Sequence, residues 1–136
     1  MKLALHHINF ATENVERMDR FYEEVLNLDE ATEDLPTLER KKGYDGDVAF
    51  RSDGEIHFHL AKRDLALGFK TGHLVNPLQA GHIAFRTDDI EAFKQRLDKL
   101  EIPYSDFGND AVKGWHQIFF YDPDGNVVEV HQVEED

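Results

Sequence analysis

The stretch His7–Glu16, HINFATENVE, decides the fold because it recurs as His82–Glu91, HIAFRTDDIE, 75 positions further along the chain. Five of the ten positions are identical, and two others exchange one acidic or aliphatic side chain for another, Glu13 for Asp88 and Val15 for Ile90. Internal repetition of this kind indicates one supersecondary unit that is used twice.

A second match lies downstream with an offset of 70 rather than 75. It aligns Phe50 with Phe120, Val48 with Ile118, Leu60 with Val130 and His59 with Glu129. The change of offset from 75 to 70 means that the connections between the matched strands differ by five residues in length. We therefore predict a single domain made of two repeats, about residues 1–65 and 78–136, joined by a linker at residues 66–77.

Each repeat shows the same order of predicted elements. An apolar strand comes first, and apolar residues at three- and four-residue spacing then indicate an amphipathic helix, as from Val15 to Leu26 and from Ile90 to Leu100. Three short strands follow, although Pro36 leaves residues 28–40 ambiguous. The predicted class is α+β, with a βαβββ unit repeated twice.

Composition excludes several classes of function. The chain has 136 residues and a formal net charge of −13, which repels phosphate backbones, so we expect neither nucleic acid nor an anionic membrane as partner. It has no cysteine, which excludes thiolate metal sites and Cys nucleophiles. No apolar run is long enough for a signal peptide or a membrane helix, so we expect a cytoplasmic protein.

The candidate site is a set of histidines at matching positions in the repeats. His7 and His82 occupy the same place in the first strands, and His59 and Glu129 occupy the same place in the last strands. Two repeats packed about a pseudo-twofold axis would bring these four side chains together. Three imidazoles and one carboxylate suit one divalent ion such as Zn, Ni, Co, Fe(II) or Mn.

Other aspects of the site stay open. Aligning Asp53-Gly54 with Asp124-Gly125 would shift the last strands by one residue, and His57 shares a strand face with His59, so either histidine is a candidate ligand. Strand alternation predicts that His6 faces away from His7. We expect solvated positions for His116 and His131, and core positions for Trp115 and the strand phenylalanines Phe50, Phe58, Phe119 and Phe120.

Three stretches resemble the vicinal oxygen chelate superfamily, which includes glyoxalase I, fosfomycin resistance proteins, extradiol dioxygenases and bleomycin-binding proteins. They are His7-Ile8 with Arg20–Tyr22 and Leu26–Leu28, then Gly81–Phe85, and finally Phe119–Asn126 running into Glu129. The resemblance implies paired βαβββ modules that form a cupped mixed sheet around a metal ion, usually in a homodimer. Its metal-ligand positions match His7, His82 and Glu129.

The resemblance also implies a reaction class. The first choice is a glyoxalase I-like isomerase or lyase that acts on a small carbonyl or thiol-conjugate substrate through a metal-stabilised enediolate, with Glu129 as the base if it can leave the metal ion and a metal-bound hydroxide as the base otherwise. His59 stands where glyoxalase I has a Glu. The alternatives are an extradiol-type Fe(II) dioxygenase, a fosfomycin-type thiol transferase, and a non-catalytic small-ligand binder like the bleomycin-binding proteins. A cupin would explain His57-Phe58-His59, but two helical segments argue against an all-β fold.

Overall fold

The computed structural model describes residues 1–134 and contains one eight-stranded mixed sheet with three helices. In chain order the elements are β1 (Leu3–Thr12), α1 (Val15–Glu24), β2 (Asp29–Glu30), β3 (Val48–Ser52), β4 (His57–Lys62), α2 (Leu67–Thr71), β5 (Gly81–Thr87), α3 (Ile90–Lys99), β6 (Ser105–Gly108), β7 (Trp115–Tyr121) and β8 (Val127–Val133). The predicted α+β class is confirmed. No helix within residues 1–134 has the length and apolar character needed to cross a membrane.

The strand order has the same pattern from either edge of the sheet, namely β2-β3-β4-β1-β5-β8-β7-β6. The two first strands, β1 and β5, run antiparallel in the centre, where Ile8 pairs with Ile83. Each has the last strand of its own repeat as a parallel neighbour, β4 beside β1 and β8 beside β5. All four candidate ligands therefore lie on the four central strands.

Strand registers decide which of the two β4 histidines matches Glu129. His7 pairs with His57, and its counterpart His82 pairs with Val127, so the last strands correspond with an offset of 70. His59 is thus the counterpart of Glu129. His57 corresponds to Val127 instead.

The predicted match of the third strands was wrong by one residue. Phe50 pairs with His59 and Phe119 pairs with Glu129, so Phe50 corresponds to Phe119 and not to Phe120. The cause is the hairpin turn, which has four residues in the first repeat (53–56) and five in the second (122–126).

One face of the sheet carries the core and the other carries the candidate site. Beneath α3, Ile90, Phe93 and Leu97 pack against Ile118 of β7 and Val130 of β8. Because strand side chains alternate between faces, the adjacent Phe119 and Glu129 project to the opposite side.

The α1 helix packs differently from its counterpart α3. Arg51 takes the place of Phe120 beneath the helix and is 8% exposed, with Nε donating to Asp19 Oδ1 at 2.7 Å and Nη2 donating to Glu23 Oε2 at 3.3 Å. No α1 residue is buried. Phe21 and Val25 are 50% and 63% exposed, so the helix presents an apolar surface.

Some predicted boundaries moved. The first strand after α3, β6, begins only at Ser105, because Pro103 has no amide hydrogen to donate. Within the predicted linker, residues 67–71 form the short helix α2, which ends at Gly72 with φ +73°. In the ambiguous stretch 28–40, the one strand within a sheet is the two-residue β2.

Candidate metal centre and cavity

His7, His82 and Glu129 converge from β1, β5 and β8 at the centre of the sheet. One ligand atom from each lies within 4.8 Å of the other two, and their side chains are 2%, 4% and 1% exposed. Glu129 Oε1 is 3.0 Å from His82 Nε2 and 3.5 Å from His7 Nε2. Sequence symmetry thus predicted three groups that the structure brings together.

The tautomer of His82 is fixed by its other nitrogen. Nδ1 lies 2.9 Å from the carbonyl oxygen of Pro77, which only accepts hydrogen bonds, so Nδ1 carries a hydrogen. In the neutral ring Nε2 then presents a lone pair to Glu129 Oε1. Two acceptors 3.0 Å apart require a proton or a cation between them.

The tautomer of His7 is fixed by its neighbour His6. His6 Nε2 lies 3.0 Å from the Asp34 carboxylate and donates to it, so in the neutral ring its Nδ1 accepts from His7 Nδ1 at 2.8 Å. Burial, followed by the neighbouring His7 and Arg86, lowers the pKa of His6 to about 4. Burial also lowers the pKa of His7. The Nε2 lone pair of His7 is therefore directed towards Glu129 as well.

Glu129 supplies the negative charge of the cluster. Burial alone would raise its pKa, but a positive charge on His7, followed by hydrogen bonds from His131, His7 and His82, holds the pKa well below its usual value. Nδ1 of His131 donates to Oε2 at 2.7 Å. An ionised carboxylate and neutral imidazoles are the metal-binding forms.

These separations fit a shared divalent ion. With metal–ligand distances of about 2.1 Å, two ligands are about 3.0 Å apart at a right angle and about 3.4 Å apart at a tetrahedral angle. The observed separations of 3.0 and 3.5 Å match these values. The donor set of nitrogen and carboxylate oxygen suits Zn, Ni, Co, Fe(II) or Mn.

The cluster belongs to a closed ring of polar contacts that we call the outer ring. His131 Nε2 accepts from Arg86 Nε at 3.0 Å, and Arg86 Nη1 donates to Asp34 Oδ2 at 2.7 Å. Asp34 in turn accepts from His6, which accepts from His7. The outer ring therefore runs through six side chains, Glu129, His131, Arg86, Asp34, His6 and His7.

Two expectations about histidines were wrong. A β-bulge interrupts the β1–β5 pairing between Leu5 and His7, so His6 projects to the same side as His7 instead of facing away. His131 is fully buried rather than solvated. The signal for His131 was its position two residues after Glu129 on one strand face, whereas the loop residue Asp34 gave no local signal.

His59 stands beside the three converging groups but outside their 4.8 Å cluster. Its ring stacks on that of His7 with a centroid distance of 3.8 Å, and it is 5% exposed. Burial holds its pKa well below the usual value, and its Nε2 has no hydrogen-bond partner among the described residues. His59 lines the cavity described next, and His57 does not.

A cavity of about 740 Å³, its mouth included, opens above the cluster of His7, His82 and Glu129. Its volume lies in the range of small-molecule sites, and most of its wall is apolar. Trp115 and Phe119 are buried, as expected for core residues, and together with the half-buried Phe50 they form part of this wall. His73 and His116 lie outside the cavity.

Both repeats contribute to the roof of the cavity. Leu38 and Val112 form an isolated antiparallel bridge, with hydrogen bonds from Glu39 N to Ala111 O at 2.9 Å and from Lys113 N to Thr37 O at 2.8 Å. Both bridge side chains line the cavity. The first-repeat loop also carries Asp34, so the roof and the outer ring share one segment.

Comparison with known proteins identifies the family. Residues 4–130 match the model of the Glyoxalase/Bleomycin resistance protein/Dioxygenase superfamily. A hypothetical protein from Bacillus halodurans is 21% identical, with a TM-score of 0.69 and coverage of 100% of this chain and 98% of that one. Methylmalonyl-CoA epimerase from Streptomyces coelicolor, in a variant bound to 2-nitronate-propionyl-CoA, is 19% identical, with a TM-score of 0.65 and coverage of 96% of this chain and 97% of that one. Methylmalonyl-CoA epimerase from Mycobacterium tuberculosis is 15% identical, with a TM-score of 0.66 and coverage of 96% of this chain and 88% of that one.

At these low identities the similar structures show only that the fold is shared. The family model, in contrast, matches nearly the whole chain and so shows the family. The chain belongs to the glyoxalase/bleomycin resistance/dioxygenase superfamily.

Proposed function

We propose that this protein is a metal-dependent enzyme in which His7, His82 and Glu129 bind one divalent ion and His59 supplies a fourth ligand. The observation that supports this most directly is the convergence of two imidazole nitrogens on one buried carboxylate oxygen. The proposed substrate is a small molecule with two adjacent oxygens that enters the cavity above the ion. The proposed reaction is an isomerisation or lyase step of the glyoxalase type.

The proposed reaction removes a proton from the carbon next to a carbonyl. A bound divalent ion would polarise that carbonyl and stabilise the negative charge that develops on its oxygen. Glu129 is the proposed base, because Asp110, the other carboxylate among the described cavity residues, is exposed and lies 3.5 Å from Lys42. His131 holds Oε2 of Glu129, so Oε1 is the atom that would accept the proton once Glu129 has left the ion.

Isotope exchange with solvent tests this proposal. The protein is loaded in turn with Ni, Co, Zn or Mn and incubated in D₂O with small α-hydroxy carbonyl compounds and hemithioacetals. We expect NMR to show deuterium entering the carbon next to the carbonyl, and no such exchange in Glu129→Gln. Exchange by Glu129→Gln at the wild-type rate would remove Glu129 from the mechanism. The epimerase names among the similar folds agree with this choice, since epimerisation next to a carbonyl also moves a proton.

A second candidate is an extradiol-type Fe(II) dioxygenase. Two histidines and one carboxylate with open coordination positions form the ligand set of non-haem Fe(II) oxygenases, and His7, His82 and Glu129 match it. Oxygen uptake by the Fe(II)-loaded protein with a panel of catechols would favour this candidate over proton transfer. Ligand binding that needs no metal would instead favour a non-catalytic binding protein.

We also propose a homodimer. Phe21 of α1 and Val25, which follows the helix, form an exposed apolar surface. A second copy would bury this surface. Light scattering after size-exclusion chromatography should give twice the chain mass of 15.7 kDa, and Phe21→Glu should return the mass to that of one chain. A monomeric wild type would contradict this proposal.

A further inference from the structure

Three buried polar atoms of residues that line the cavity have no hydrogen-bond partner among the described residues. They are Asn9 Oδ1, His59 Nε2 and Gln117 Oε1, and their residues are 8%, 5% and 4% exposed. Leaving a buried polar atom unpaired costs about 1–3 kcal/mol, so such atoms in one cavity indicate a bound partner. His59 is already assigned to the ion, which leaves the two amide oxygens for the substrate.

Asn9 lies on β1, which also carries His7, and Gln117 lies on β7, the neighbour of the strand that carries Glu129. Asn9 follows His7 by two residues on β1 and pairs with His82 across the sheet. Gln117 is opposite His131, the residue that holds Glu129. Amide oxygens accept hydrogen bonds, so a ligand that satisfies them carries hydroxyl or N–H groups.

Charge restricts the rest of the ligand. Lys42 is the one lysine or arginine among the described residues that line the cavity, and it is half exposed and paired with Asp110 at 3.5 Å. A divalent ion with Glu129 leaves one net positive charge, which attracts the oxygens bound directly to the ion. The remaining wall, with Phe50, Phe107 and Leu78, is apolar and would not compensate the desolvation of a second charge.

We propose that the substrate is an uncharged, largely apolar small molecule whose vicinal oxygens bind the ion and whose hydroxyl or N–H hydrogen is accepted by the Asn9 and Gln117 side chains. This inference rests on the proposed metal-dependent function and names its substrate class. It disfavours phosphonates, CoA esters and glutathione conjugates, because their anionic groups meet no unpaired cation in the described cavity wall.

Binding of three matched compounds tests the inference. 2-Hydroxyacetophenone is neutral and has one hydroxyl donor, 4-(hydroxyacetyl)benzoate adds a carboxylate, and 2-methoxyacetophenone lacks the donor. Trp115 is the chain's single tryptophan and lines the cavity, so its fluorescence reports occupancy. In Zn-loaded protein we expect 2-hydroxyacetophenone to bind at least tenfold more tightly than either analogue. Equal or tighter binding of the carboxylate would overturn the inference.

A variant pair tests the role of the amide. Gln117→Leu should weaken binding of 2-hydroxyacetophenone about tenfold and leave 2-methoxyacetophenone unchanged, whereas Gln95→Leu on the exposed face of α3 should change neither. Equal weakening of both ligands by Gln117→Leu would overturn the amide assignment. Zn titration is measured separately, so absence of Zn binding would contradict the proposed function, while the ranking of the three compounds would still test the inference in metal-free protein.

Discussion

Nδ1 of His6 lies 2.8 Å from Nδ1 of His7, although adjacent residues of a regular strand project to opposite faces. The β-bulge at His6 makes this contact possible. Through it His7 donates its Nδ1 hydrogen and keeps Nε2 available for a metal ion. Residues outside the ligand set therefore determine how the ligands are presented.

The outer ring should contribute to metal affinity. Asp34→Asn removes the negatively charged carboxylate that accepts hydrogen bonds from His6 and Arg86, so we expect Zn affinity to fall about 10- to 100-fold. A chelator competition titration measures it. The control is Glu13→Gln, an exposed carboxylate paired with Lys62 and Arg63. Unchanged affinity in Asp34→Asn would show that the outer ring does not position the ligands.

The direct ligands should contribute more. Glu129→Gln removes the one negative charge on which His7 and His82 converge. We therefore expect its Zn affinity to fall by more than the roughly 100-fold upper limit for substitutions of residues that only position the ligands. Elemental mass spectrometry of the purified variant provides a second measurement. His116→Gln, altered outside the cavity, should retain wild-type metal content. A stoichiometric ion in Glu129→Gln would contradict the assignment.

His59 should separate metal binding from stability. Replacing it with Phe removes the unpaired Nε2, which should stabilise the metal-free protein by about 1 kcal/mol and weaken Zn binding at least tenfold. Urea unfolding and chelator competition measure the two effects. His57→Phe should leave Zn affinity within twofold. The opposite ranking of these variants would transfer the fourth-ligand role to His57.

Acid should destabilise the metal-free protein. Burial lowers the folded-state pKa of His7 and His59, so between pH 6.5 and those lower values the unfolded chain binds protons that the folded chain does not. The free energy of unfolding therefore decreases as the pH is lowered through this window, by up to about 1.4 kcal/mol per pH unit for each group. Urea unfolding between pH 7.5 and 5 in EDTA measures it. His59→Phe should show a shallower dependence, and a flat profile in the wild type would contradict the burial argument.

Arg51 should stabilise the first repeat. Its Nη1 donates to the Leu28 carbonyl at 3.2 Å while its other nitrogens bind Asp19 and Glu23. Because charge-assisted hydrogen bonds contribute about 1.5–3 kcal/mol each, Arg51→Ala should lower the free energy of unfolding by at least about 2 kcal/mol. The matched control is Arg20→Ala, whose exposed pair with Glu16 should contribute less than about 0.5 kcal/mol. Equal effects would show that burial of Arg51 adds nothing.

The repeat in the sequence was sufficient for the α+β class and for the identity of the main ligand candidates. His7 and His82 sit at one position of a repeated strand, and hydrophobic periodicity is local, so both features are readable without coordinates. Glu129 was readable because a charged residue within an apolar strand needs a partner when buried. The alignment of β3 with β7 was wrong by one residue, since a one-residue difference in a hairpin turn leaves no trace in either strand.

Tertiary structure alone decided the rest. Which of His57 and His59 matches Glu129 depends on pairing with β1, a contact between segments distant in sequence. The bulge that turns His6 inward is a property of the β1–β5 pairing, and Asp34 reaches the outer ring from a loop without any periodic pattern. Sequence patterns record local geometry, whereas the orientation of a metal ligand and the polarity of a cavity depend on groups that only the folded chain brings into contact.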